Sequence, residues 1–138
     1  MLDGPSGIAG SRPLSYLCFD FGIRRIGVAS GNTLLRQATP LKTLSGERDA
    51  RFTAIAKLIN EWQPDALVVG VPFHPDGAAH DNTRRAQAFA RQLHGRFRLA
   101  VHQVDERFTT TEALAQGAAD ADAAAAAIIL DQFLRSLP

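Results

Sequence analysis

Two short apolar runs near the start of the chain predict β-strands. Tyr16–Phe21 and Ile26–Ser30 are almost continuously apolar, and a short turn containing Gly22 separates them. A second turn at Gly31 precedes Thr39–Leu44, which completes a third predicted strand. Connections this short can only join antiparallel strands, so the first 45 residues predict an antiparallel meander.

The spacing of apolar residues then becomes helical. Phe52, Ile55, Ile59 and Trp62 recur every three to four residues, which predicts an amphipathic helix over Glu47–Gln63. The remaining predicted elements are, in chain order, a strand at Ala66–Gly70, a helix that Asp81 or Asn82 caps and Gly95 ends, a strand at Arg98–Val104, and helices at Phe108–Gln116 and Asp120–Leu137.

The order of elements, β-β-β-α-β-α-β-α, is typical of one fold class. Strands joined through helices run parallel, whereas the first three run antiparallel. We therefore expect a ribonuclease H-like α/β fold, in which a mixed five-stranded sheet (three antiparallel, then two parallel strands) carries helices on both faces. Residues 1–14 are expected to form a flexible N-terminal tail, and residues 15–138 a single domain.

Composition narrows the class of protein. The chain has 138 residues, of which 46% are hydrophobic and 21% charged, which suits one folded domain rather than a disordered segment. No apolar run is long enough to span a membrane. The single cysteine, Cys18, lies in an apolar strand and is expected to be a core residue. These features predict a cytoplasmic protein without membrane attachment.

The net charge is only +1, but the basic residues are unevenly distributed. Between Asn82 and Val104 there is no acidic residue, whereas the same stretch contains five arginines: Arg84, Arg85, Arg91, Arg96 and Arg98. The planar guanidinium group binds phosphate through two hydrogen bonds, so this stretch favours a nucleic-acid contact. A solvated helix face is the alternative interpretation.

Acidic residues follow two of the predicted strands. Asp20 ends the first strand, and Asp105 and Glu106 follow the fifth. Ligands of open α/β sheets collect at the carboxyl ends of parallel strands, so these acids are expected to lie at one edge.

A fourth acid belongs to the last predicted helix. Asp122 precedes Ala126, Ile129 and Phe133 at helical spacing, which places it on the stripe that faces the sheet. Asp120 points elsewhere and is expected to cap the helix. Taken alone, Asp122 could equally stabilise the helix dipole.

The carboxylates are expected to converge without an obvious cation between them. Oxygen ligands of this kind suit hard cations, so Mg²⁺ or Mn²⁺ is the expected cofactor. Two ions about 4 Å apart could hold the attacking and leaving oxygens of a phosphodiester.

Four segments together resemble a known family. They are DFGIRRIGVA from Asp20, VGVP followed by DG from Val69, DERFTT from Asp105, and Asp122 with the apolar helix after it. In these the chain resembles the YqgF (RuvX) family, which is similar in fold to the RuvC Holliday-junction resolvases and is described as the pre-16S rRNA nuclease family.

The resemblance implies metal-dependent hydrolysis of phosphodiester bonds in 5′-end maturation of pre-16S rRNA. Asp20, Glu106 and Asp122 would be both catalytic acids and metal ligands, with Asp105 as a substitute ligand. Glu106 would have to reach across Gly70, which has no side chain to block it.

Basic residues near these acids are expected to contact nucleic acid. Arg24 and Arg25 match the basic positions of the family's first motif, and Arg107 would orient the acids or hold the scissile phosphate. Arg84, Arg85 and Arg91 of the second helix would contact phosphates.

Alternative functions remain open at this point. The protein could resolve Holliday junctions or other branched DNA, because the resemblance includes the resolvases. The segment between Thr111-Glu-Ala113 and Asp122 is shorter than is usual in the family, which leaves a non-catalytic nucleic-acid- or ribosome-binding protein as an alternative. An ATP-binding module is disfavoured because the chain has no second phosphate-binding loop.

A pre-ribosomal particle is a candidate partner, and the sequence does not predict an oligomeric state.

Overall fold

A computed structural model describes residues 12–74, 76–106 and 117–138. Its five strands are β1 (Ser15–Phe21), β2 (Arg25–Asn32), β3 (Ala38–Ser45), β4 (Ala66–Val71) and β5 (Ala100–Asp105). Three helices accompany them among the described residues: α1 (Arg48–Trp62), α2 (Asp81–Phe97) and α3 (Ala121–Ser136). The expected helix at Phe108–Gln116 lies outside the described residues.

The strands form one sheet in the order β3-β2-β1-β4-β5. β1 pairs with β2, and β2 with β3, in antiparallel fashion, whereas β4 runs parallel to both β1 and β5. The predicted mixed sheet is therefore confirmed. The parallel order of β1, β4 and β5 brings their carboxyl ends to the same edge.

The helices cover both faces of the sheet, as expected. The side chains of α1 and α2 pack on one face in a core that includes Phe19, Ile55 and Leu93. On the other face α3 is the helix that packs among the described residues, with Ile129 and Leu130 against Cys18 and its neighbours. Strand β4 is buried along its whole length, because both faces are covered where it lies.

Two details of α2 differ from the sequence prediction. The N-terminal cap is His80 rather than Asp81 or Asn82: its Nδ1 accepts a hydrogen bond of 3.1 Å from the amide of Asn82. The hydroxyl of Thr83 accepts a bond from the amide of His80 and completes the cap. Gly95 does not end the helix, which continues to Phe97 and ends at Arg98 in the left-handed conformation (φ 58°). A glycine can end a helix but does not force it to end, and here the helix continues through Gly95.

The buried face of α1 differs from the prediction at two positions. Phe52 and Ile55 are buried as predicted, but Leu58 is the third buried residue, Ile59 is only partly buried, and Trp62 is 44% exposed. Trp62 is the last residue of the helix, where the chain has already moved past the core.

The predicted domain boundary is not tested by the fold. Residues 1–11 lie outside the described residues. Arg12 pairs with Asp65 at 2.6 Å, and Leu14 exchanges hydrogen bonds with Thr33, so the chain contacts the sheet from residue 12 onward. Within the described ranges, no helix has both the length and the apolar character needed to cross a membrane.

Candidate active site

Asp20 lies in a row of three residues that crosses the centre of the sheet. Gly27 of β2 is its partner on one side and Gly70 of β4 its partner on the other. Residues paired across adjacent strands face the same side of the sheet, and here that side is the one covered by α3. Asp20 is therefore flanked by two positions that have no side chain.

Gly70 makes room for Glu106. A Cβ atom at Gly70 would lie 3.1 Å from both Cδ and Oε2 of Glu106, and 2.7 Å from Cδ1 of Ile129. The carboxyl of Glu106 thus extends from the end of β5 over the backbone of β4, towards Asp20. The expectation that Glu106 reaches across Gly70 is confirmed.

Gly27 makes room for the first turn of α3. A Cβ atom there would lie 1.9 Å from the carbonyl oxygen of Asp122, so no other residue fits without moving the helix. Asp120 caps α3 as predicted, accepting a bond of 3.1 Å from the amide of Ala123. It also accepts a bond from Thr43 of β3, which fixes this end of the helix to the sheet.

Burial and like charge raise the pKa of Glu106 to about 8. Loss of solvation is the largest cause, followed by the charges of Asp20 and Asp105. Burial also raises the pKa of the Cys18 thiol, and the charges of Asp20 and Glu106 add to this effect. The site therefore concentrates negative potential in a poorly solvated place.

Asp122 has a cation partner that sequence reasoning missed. Its carboxylate forms an ion pair of 2.9 Å with Nε of Arg25, so the expectation of acids without a cation between them is wrong for this residue. Arg25 is the first residue of β2. It lies beside the first turn of α3 because that turn contacts β2 at Gly27. Accordingly, the described part of the chain contains no ready-made group of three metal-ligating side chains.

The donor atoms present fit a hard divalent cation in part. Asp20, Glu106 and the adjacent Asp105 supply only carboxylate oxygens, which Mg²⁺ and Mn²⁺ prefer. The space beside Gly70 and Gly27 is taken by the carboxyl of Glu106 and by the first turn of α3, so both elements lie next to Asp20. To act as a ligand, the carboxylate of Asp122 would have to leave Arg25, with which it is paired at 2.9 Å.

A cleft of about 610 Å³ opens beside this group. Its walls are the turn from Phe21 to Arg25, Pro72 after β4, Asn82 in the first turn of α2, and Asp122. Arg24 and Arg25 therefore line the same cleft as Asp122. Arg107 lies outside the described residues.

The other predicted nucleic-acid contacts lie away from the carboxylates. Arg84, Arg85 and Arg91 are exposed on α2, opposite its buried face. Sequence reasoning missed Arg51 of α1, whose guanidinium donates bonds of 3.0 Å to the carbonyls of Gly22 and Ile23 and so supports the turn after Asp20. Only its helical position among apolar residues could have indicated that it faces inward.

Comparisons with known proteins agree with this geometry. The family model for RuvX, described as "Holliday junction resolvase", matches residues 14–136. A protein of Polaromonas sp. named "Putative pre-16S rRNA nuclease" is 68% identical over 124 residues, 90% of each chain. One of the same name from Albidiferax ferrireducens is 67% identical over 89% of this chain and 79% of its own.

A solved structure supports the fold assignment. Thermus thermophilus RuvC, in complex with a Holliday junction substrate, superposes with a TM-score of 0.55 at 14% identity, over 88% of this chain and 93% of its own. At that identity the similarity concerns the fold, which is ribonuclease H-like as expected. The extent of the family match and the identity to its members show that this chain belongs to the RuvX family.

Proposed function

We propose that this protein is a divalent-metal-dependent endonuclease that hydrolyses phosphodiester bonds in the 5′-end maturation of pre-16S rRNA. The observation that carries the proposal is the position of Glu106, which reaches over Gly70 towards Asp20 although both are acids. Such an arrangement costs stability unless a cation offsets it. The names of the close relatives support pre-16S rRNA as the substrate, and the description of the family model names another nucleic acid, the Holliday junction.

Asp20, Glu106 and Asp122 are the proposed catalytic and metal-binding residues, with Asp105 as a substitute ligand. The proposed cofactor is Mg²⁺ or Mn²⁺, as two ions. When bound, divalent cations stabilise the charge that develops on the phosphate oxygens during hydrolysis. The chain would supply the proposed ligands from three elements: Asp20 from β1, Glu106 from the end of β5, and Asp122 from the capped first turn of α3.

Arginines on two surfaces are the proposed substrate contacts. Arg24 and Arg25 line the cleft and would hold the phosphates next to the scissile bond. When a cation binds Asp122, Arg25 would be released from its ion pair with that residue and would bind a phosphate of the substrate instead. Arg84, Arg85, Arg91 and Arg107 would position the rest of the strand. Phosphate contacts of this kind orient the substrate without selecting a sequence.

The first test is substitution of the central acid. Asp20→Asn keeps the shape of the side chain but removes the charge, so Mg²⁺- or Mn²⁺-dependent cleavage of a 5′-extended 16S precursor should be lost. Asp49→Asn, the same change at an exposed position of α1, is the control and should cleave normally. Circular dichroism would establish that both variants are folded. Wild-type cleavage by folded Asp20→Asn would exclude the proposed metal-dependent mechanism.

The roles of the two neighbouring acids can be separated in the same assay. Glu106 extends over Gly70, whereas Asp105 is shorter and ends β5. Glu106→Gln should therefore lower the cleavage rate far more than Asp105→Asn. The reverse order would make Asp105 the ligand.

A Holliday-junction resolvase is the second candidate, favoured by the description of the family model. Precursor rRNA and a four-way DNA junction should be compared directly, each with Mg²⁺, Mn²⁺ or EDTA. Faster cleavage of the junction would select the resolvase, and binding of either substrate without metal-dependent cleavage would select a non-catalytic binding protein. Association with a pre-ribosomal particle, the oligomeric state and a cytoplasmic location stay predictions.

A further inference from the structure

A second basic pocket lies on the opposite face of the sheet from the carboxylates. It has a volume of about 270 Å³ and is bounded by β1, β2, α1 and α2. Three guanidinium groups line it, from Arg48, Arg51 and Arg85, together with the amide of Gln92. No acidic residue is part of its wall. The pocket thus presents positive charge and hydrogen-bond donors to whatever enters it.

The arginines of this pocket are not engaged by carboxylates. Neither Arg48 nor Arg85 forms an ion pair within the described ranges, where the arginine ion pairs involve Arg12, Arg25 and Arg84. Arg51 uses one terminal nitrogen for the carbonyls of Gly22 and Ile23. Its Nε is buried and has no hydrogen-bond partner among the described residues. A buried donor without a partner is costly, which indicates that an acceptor belongs there.

The floor of the pocket is aromatic. Phe21, Phe52 and Phe89 form a cluster, with ring centroids 5.0 Å apart for Phe21 and Phe89 and 5.9 Å for Phe52 and Phe89. Guanidinium groups lie over two of these rings: Arg51 is 5.9 Å from the centroid of Phe21, and Arg48 and Arg96 are 5.8 Å and 4.0 Å from that of Phe52. Flat apolar surfaces beside oriented guanidinium groups suit a ligand with a planar ring and an oxyanion.

We propose that this pocket binds one phosphorylated nucleoside, with the phosphate against Arg48, Arg51 and Arg85 and the base against the aromatic floor. Its volume is near the lower end for small-molecule sites, about 300 Å³, so it takes a single nucleotide and no longer segment. The nucleotide is either free or an unpaired unit of a nucleic-acid strand. The strand version rests on the proposed function, whereas binding of the free nucleotide does not.

Position connects the pocket to the cleft. Phe21 follows Asp20 in β1 and therefore faces the other side of the sheet. Arg51 is held by the same turn that carries Arg24 and Arg25 into the cleft. A strand that passes over this turn could place its scissile phosphate at the carboxylates and an adjacent unpaired nucleotide in the pocket.

Binding can be measured without cleavage, by calorimetry on the whole chain in EDTA with adenosine 5′-monophosphate. Adenosine and inorganic phosphate, each lacking one half of the ligand, should bind at least about tenfold more weakly. Arg48→Gln and Arg85→Gln should each weaken binding of the nucleotide about tenfold, the scale of one charge-assisted hydrogen bond. Arg135→Gln, an exposed arginine in the last turn of α3 outside the pocket, is the matched control and should bind as wild type.

A second variant tests the cavity rather than its charge. Ala88→Leu keeps all three arginines but fills the space beside them. This variant should lose binding of the nucleotide altogether. Equal binding by wild type, Arg85→Gln and Ala88→Leu, or no binding of the nucleotide to wild type, would overturn the proposal. Because EDTA is present, the result does not depend on whether the carboxylates hydrolyse nucleic acid.

Competition identifies the source of the nucleotide. A short single-stranded oligonucleotide that displaces adenosine 5′-monophosphate from wild type, and does so less well from Arg48→Gln, supports a unit of a strand. Failure of the oligonucleotide to compete, with the mononucleotide still bound, supports a free nucleotide.

Discussion

Glu106→Gln should stabilise the metal-free protein, and the gain should grow with pH. The pKa of Glu106 in the folded state is about 8, against about 4.5 for an ordinary glutamate. Below pH 4.5 the side chain is neutral in both the folded and the unfolded chain, so its ionisation does not lower the free energy of unfolding. Between pH 4.5 and 8 the unfolded chain loses its proton while the folded one keeps it, so the folded state loses stability as pH rises.

The magnitude follows from the pKa. At about 1.36 kcal/mol for each pH unit, the rise from 4.5 to about 8 corresponds to about 3 kcal/mol at pH 7 and about 5 kcal/mol once Glu106 is fully ionised. Glutamine occupies the same space over Gly70 and cannot ionise. The variant should therefore be more stable than wild type by about these amounts, and by almost nothing near pH 4.5.

Urea unfolding in EDTA at several pH values between 4.5 and 8.5 measures the difference in free energy directly. Glu61→Gln, the same change at an exposed position of α1, is the control and should follow wild type. Added Mg²⁺ or Mn²⁺ should stabilise wild type increasingly as pH rises, because the ion competes with the proton, and should stabilise Glu106→Gln much less. Parallel stability curves for wild type and Glu106→Gln would refute the proposed burial of this acid.

Two further predictions concern the backbone of the site and the exposed arginines. Gly70→Ala should destabilise the protein by about 1–3 kcal/mol and lower cleavage by about 100-fold, because the new Cβ displaces the carboxyl of Glu106. Gly95→Ala, where the added Cβ meets nothing within 4 Å, should instead stabilise α2 by about 0.5–1 kcal/mol in the same thermal unfolding experiment. Replacement of Arg84, Arg85 and Arg91 by alanine should reduce the slope of log binding constant against log salt by about two to three, at roughly 0.7–0.9 per phosphate contact, without changing cleavage at saturating substrate. An unchanged slope in that binding titration would mean that these arginines are only solvated.

Local pattern determined the order of elements and most of their bounds. A change from strand to helical periodicity is visible wherever one face of an element is buried, so the three-stranded meander, the buried strand β4 and the stripe of α3 could all be predicted. The distinction between Asp120 as a cap and Asp122 as a sheet-facing residue followed from helical geometry alone. The passage of Glu106 over Gly70 was expected from the family resemblance, because Gly70 has no side chain to block it.

Tertiary structure decided which side chains meet. The ion pair of Arg25 with Asp122 joins residues that are almost 100 positions apart, and it exists because Gly27 lets the first turn of α3 touch β2. Similarly, the basic pocket combines Arg48 and Arg51 of α1 with Arg85 of α2, which belong to two different helices. Periodicity specifies which face of an element is buried, but the partner across that face depends on packing through space, for which a single sequence carries no local signal.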